Sequence, residues 1–216
     1  MSGLMTEFLG LAVIHFLAVV SPGPDFAVTV RQSIRYGRVA GIGTALGIGA
    51  GISVHVIYTL FGVGALMHTT PWLLQLAEAL GSAYLLYLGI SFIRHAGSHI
   101  TAAVDVNNEE QRARSLRQAF IVGFLTNATN PKATLFFLAV FTTLVSATTP
   151  LRIQILYGAW MCLVNALWFI LVSLIFTRPK VRQRFIKIGP WFERLMGILL
   201  IAFSVRLIWH SVQSLI

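Results

Sequence analysis

Two short stretches carry residue types that do chemistry inside otherwise apolar runs. The first is Ser21-Pro22-Gly23-Pro24-Asp25, set between Val19-Val20 and Phe26-Ala27-Val28. The second is Asn127-Ala128-Thr129-Asn130-Pro131-Lys132, set before Phe136-Phe137-Leu138. Proline lacks the N–H donor and its ring crowds the carbonyl four residues back, so each stretch interrupts a helix. Gly23 lets the chain turn between Pro22 and Pro24. Asp25 and Lys132 then place opposite charges at the two interruptions. An interrupted helix exposes unpaired N–H and C=O groups. Positive helix N-termini suit a carboxylate, while carbonyls or Asp25 suit an ammonium, and these are the two ends of an amino acid. Asn127, Thr129 and Asn130 add neutral hydrogen-bonding groups. The competing reading is that Asp25 only caps the following helix and Lys132 extends to lipid headgroups.

The elements that must hold these residues follow from composition. Hydrophobic residues make up 56% of the 216 residues and charged residues 11%, and the mean hydropathy is +0.79. Soluble domains carry about a quarter charged residues. Several runs reach the roughly 20 apolar residues that cross a bilayer. The expected fold is an all-α polytopic membrane protein with six transmembrane helices. Span one covers about 4–20, span two 39–67, span three 72–93, span four from 119, span five 153–176 and span six 191–209. Residues 1–94 and 119–216 form two three-helix halves, with a polar cytoplasmic connection over 95–118. Span one enters from outside and span four from inside, so the halves are inverted, and the first helix of each is broken at proline. Pro24 and Pro131 lie 107 positions apart in a chain whose half-length is 108. Paired broken segments in inverted halves point to a transporter's central site.

The net charge of +9 sits in a few connections, which reads as orientation signal rather than a nucleic-acid surface. Arg31, Arg35 and Arg38 follow span one, and Arg178, Lys180, Arg182, Arg184 and Lys187 form an expected basic loop before span six. Both termini are then expected on the outer face. No positive region precedes the first apolar run, so that run is expected to be retained rather than cleaved. The single cysteine, Cys162, excludes an intramolecular disulfide and a CxxC pair. His95 and His99 have the i, i+4 spacing of a metal pair, but no third ligand is evident. The spacings Gly43–Gly47–Gly51 repeat GxxxG and predict close helix contact. After Gly41-Ile42-Gly43, position 46 is Leu, so this is no dinucleotide fingerprint, and the chain has no P-loop. Glu78 and Arg206, in spans three and six, are a candidate structural ion pair. His15 and His55 read as packing histidines, and Asn165 as a contact to another helix. Ser21 lacks the surround of a catalytic serine, so no enzyme is expected.

At these residues the chain resembles the LysE/RhtB superfamily of bacterial inner-membrane amino-acid exporters, over essentially its whole length. The resemblance rests on Ser21-Pro22-Gly23-Pro24-Asp25, on Gly123 through Phe137, and on Tyr84-Leu85-Leu86-Tyr87-Leu88-Gly89. It implies efflux of small amino acids such as threonine or homoserine, driven by the proton motive force and needing no cofactor. The implied partners are the amino acid, protons and membrane lipid, with a homo-oligomer one open arrangement. Pro22, Gly23, Pro24, Asp25, Asn127, Asn130, Pro131 and Lys132 become the expected substrate or coupling residues. The alternative weighed against it is a passive channel for small polar solutes, although no ring of charges is apparent.

Overall fold

Among the described residues, proline opens five of the seven helices or stands beside their first residue, and glycine sets how closely they pack. A computed structural model describes residues 3–69, 71–97, 115–146 and 148–213. The helices are α1 (Gly3–Val20), α2 (Pro24–Thr69), α3 (Pro71–Arg94), α4 (Leu116–Ala128), α5 (Pro131–Leu144), α6 (Leu151–Phe176) and α7 (Pro179–Gln213). No strand occurs among the described residues. Gly3–Val20, Pro24–Gly62 and Leu151–Phe176 are long and apolar enough to cross a membrane; Ala79–Arg94 and Pro131–Leu144 are shorter apolar helices. The connection expected over 95–118 lies mostly outside the described residues.

Both expected interruptions are present. α1 stops at Val20 and α2 restarts at Pro24; α4 stops at Ala128 and α5 restarts at Pro131. α2 bends again at Gly37, whose φ of 82° is a left-handed conformation that favours glycine. This bend separates the short Arg31/Arg35 segment from the glycine-rich span. The basic stretch 178–187 departs from expectation: it forms the first turns of α7, which runs through Pro190. Pro179 stands at the helix start, where its missing N–H costs nothing, so the basic residues extend the helix instead of looping.

The glycines of α2 face two ways. A side chain at Gly43, Gly47 or Gly51 would meet α4 at the Leu116 carbonyl, the Phe120 carbonyl or Asn127, while one at Gly49 would meet Ala166 and the Cys162 carbonyl of α6. α2 is therefore wedged between α4 and α6, as close as bare backbone permits. α3 packs on α7 and α5. There Gly89 and Gly197 meet, each lying against the other's carbonyl.

α6 shows which surface faces lipid. Its buried positions include Gly158, Met161, Asn165, Phe169 and Ser173, while Leu163 and Leu167 are 57% and 56% exposed. Small and polar residues inward with leucine outward is the pattern of a helix solvated by hydrocarbon. Trp72, Trp191 and Trp209 are all exposed.

Candidate functional site

The first interruption is shaped by small residues. The Gly23 carbonyl accepts from the Ala27 amide at 2.9 Å, closing the first turn of α2. A side chain on Gly23 would stand 3.1 Å from Lys132 Nζ, so glycine lets the lysine approach the backbone. Asp25 lies in the first turn of α2, where the helix dipole favours a carboxylate. Ser21, Pro22 and Gly23 are buried.

The second interruption is shaped by amides. Asn130 caps α5, its Oδ1 accepting from the Lys132 amide at 3.0 Å, with Pro131 in the first helical position. The Asn127 carbonyl, released by the end of α4, accepts from the Asn130 amide at 2.8 Å and from His55 Nε2 at 2.8 Å. His55 also meets the Tyr58 hydroxyl through Nδ1 at 2.7 Å. The freed backbone group is thus satisfied inside the protein, as the apolar surroundings require.

The two interruptions meet. Asn127 Nδ2 donates to Asp25 Oδ2 at 2.9 Å, and Asn130 Nδ2 approaches the same oxygen at 3.4 Å. The Lys132 ammonium lies 4.4 Å from the centre of the Phe92 ring, a cation–π contact inside the protein rather than an extension to headgroups. Tyr84 donates to the Lys132 carbonyl at 3.1 Å. Asp25 Oδ1 and Asn127 Oδ1 are buried without a partner among the described residues.

Asp25 and Asn127 line a cavity of about 50 Å³, which Ser21, Lys132, His15, Asn165 and the Phe136–Phe137 pair also line. A second hollow of about 330 Å³ lies against Tyr84, Tyr87 and Ser91. Gly23, Pro24 and Lys132 line both; they form the partition between them. Of the expected residues, Gly23, Pro24, Asp25, Asn127, Asn130 and Lys132 line the first cavity. Pro22 and Pro131 line the second.

The rest of the sequence reading fares unevenly. Arg206 is exposed on α7, and the side chain of Glu78 lies outside the described residues, as does His99. Asn165 does contact another helix: its Nδ2 meets His15 Nε2 at 2.8 Å. Glu193 was not anticipated. It is 2% exposed, accepts from the Gly97 amide and lies within electrostatic reach of Lys132. Its signal was a carboxylate two residues after Trp191 in an apolar segment, masked by the adjoining Arg194.

Apolar outer faces and a polar, charged cavity where two broken helices meet are the features of a helical membrane protein. The LysE type translocator family model matches residues 16–211, and the chain belongs to that family. It is 30% identical over 207 residues to the threonine efflux protein of Salmonella typhimurium, covering 95% of this chain and 98% of that one. It is 28% identical over 201 residues to the threonine efflux protein of Escherichia coli K12, covering 93% and 97%. An uncharacterized membrane protein of Bacillus subtilis is 25% identical over 206 residues, covering 94% and 98%. No solved structure matches.

Proposed function

We propose that the chain exports small amino acids of the threonine or homoserine type from bacterial cells, with export coupled to proton influx. One observation carries the reading: the two interruptions converge so that Asn127 and Asn130 hold one oxygen of Asp25, leaving Oδ1 free beside a cavity that Lys132 also lines. An ammonium fits between Asp25 Oδ1 and Asn127 Oδ1. A carboxylate fits Lys132 and the positive N-terminal end of α5. The threonine efflux proteins named above, alike over nearly their full length, support the substrate class.

Six spans in inverted halves, with both termini on the periplasmic side of the inner membrane, fit this role. Gly89 and Gly197 lie 108 positions apart and touch each other, as equivalent positions on a shared pseudo-two-fold axis would. Proton coupling assigns Asp25 the alternating group, protonated as substrate leaves. One charge crossing 100 mV supplies about 2.3 kcal/mol, roughly a fiftyfold gradient.

The test is efflux from proteoliposomes preloaded with labelled threonine under an imposed proton gradient. The wild type should release threonine faster with the gradient, and Asp25→Asn should lose at least tenfold in rate. Equal efflux by Asp25→Asn across pH would overturn the assignment.

A further inference from the structure

Two buried histidines reach the site, and donor rules fix their protons oppositely. At His55, Nε2 faces the Asn127 carbonyl, which can only accept, so Nε2 carries the hydrogen and Nδ1 accepts from Tyr58. Both of its nitrogens are used. At His15, Nε2 faces the Asn165 amide nitrogen, which can only donate, so Nε2 is the acceptor and the neutral ring carries its hydrogen on Nδ1. Asn165 is itself fixed by a bond to the Met161 carbonyl at 3.0 Å.

That Nδ1 has no partner among the described residues, and neither does Ser21 Oγ. His15 is 1% exposed and Ser21 3%, and both line the same cavity. Buried polar atoms normally find partners, and an unmade bond is costly. Their surroundings, Ile52, Phe136 and Phe137, offer none. His15 precedes Ser21 by six residues, about 9 Å along a helix at 1.5 Å per residue. The groups that would take the ammonium sit at the interruption, and His15, further into α1, lines the same cavity.

We infer that His15 Nδ1–H forms a side-chain subsite that favours a hydroxyl-bearing amino acid over its hydrocarbon isostere, with Asn165 as the positioning residue that fixes the His15 tautomer. This rests on the zwitterion reading of Asp25 and Lys132. A substrate hydroxyl accepts from Nδ1–H. A methyl in its place leaves that donor unpaired, which is how a site built for hydroxyl rejects an isostere.

Threonine and valine differ by this one group and are the probes. Efflux of each is measured in proteoliposomes for wild type, His15→Phe, Asn165→Leu and Asp25→Asn. Phenylalanine keeps the ring packed among Phe136, Phe137 and Trp160 but removes both nitrogens. The threonine-to-valine ratio should exceed fivefold in wild type and fall roughly fivefold in His15→Phe, the worth of one hydrogen bond. It should fall less in Asn165→Leu, which keeps the imidazole but frees its tautomer; that variant also carries the test should His15→Phe fail to reach the membrane. His15→Asn, with an amide near the Nδ1 position, should restore part of the ratio. A wild-type ratio below twofold overturns the subsite. So does a ratio unchanged in both His15→Phe and Asn165→Leu while Asp25→Asn abolishes efflux of both amino acids. Unimpaired efflux by Asp25→Asn alongside a collapsed ratio would instead remove the zwitterion reading and leave the subsite standing.

Discussion

The two interruptions do the same thing to the backbone and opposite things to the chemistry. At Pro24 the break is made of small residues: the first turn of α2 is closed by the Gly23 carbonyl, and the charged group is the Asp25 carboxylate. At Pro131 the break is made of side chains that cap and brace, with Asn130 on α5 and His55 on the Asn127 carbonyl. The first break supplies a negative charge and the second the amides and ammonium around it. Neither is a site alone. Asp25 without Asn127 and Asn130 would be a poorly solvated carboxylate, and Lys132 without Gly23 would be held off the partition by whatever side chain replaced it.

The largest effect should come from destroying this complementarity. Lys132→Gln leaves Asp25 without its cation, so threonine efflux should fall at least tenfold. Lys132→Gln/Asp25→Asn should recover membrane abundance but not efflux, because charge balance is restored and the recognition groups are not. Export by the double variant at wild-type rate would show that the two charges only balance one another. Next is Asn127→Leu. Asp25 Oδ2 is then left with the 3.4 Å approach of Asn130, and the half-saturating threonine concentration should rise about tenfold; an unchanged value would mean the amide is not part of the site. Asn130→Ala removes a helix cap, and the purified protein should lose about 1 kcal/mol of stability in detergent melts. The smallest effect belongs to His55→Phe. Its stacking on Phe137 survives while one bond to a backbone carbonyl is lost, so the cost should stay near 1 kcal/mol with threonine-over-valine preference intact. A collapsed preference there would mean that the two histidines are not distinguished as their partners suggest.

How much of this was legible in the chain depends on the kind of signal. Proline and charge inside apolar runs are conspicuous, because each has a large penalty in a spanning helix, so both interruptions and the charged and amide part of the cavity wall could be read directly. The glycine ridge on α2 was equally plain, since Gly43, Gly47 and Gly51 have no role in a lone helix and an obvious one against a neighbour. His15 was legible as buried, but not its tautomer. That depends on Asn165, 150 positions away, and only the packing of α1 on α6 joins them. Glu193 was hidden by its neighbours: beside Arg194 and after a basic stretch it resembles surface charge, whereas α7 continues through Pro190 and carries it inward. The continuity of α7 itself was misread because a run of lysine and arginine outside an apolar segment suits a loop and a helix equally.

The meeting of Gly89 and Gly197 makes each residue the other's closest obstacle. Adding a methyl at either would push α3 and α7 apart. Whichever came first would open the gap, and the second would enter space already made. Alanine at both positions should therefore cost clearly less than twice alanine at one. Evolutionary escape from glycine there would be blocked at its first step, not at its second.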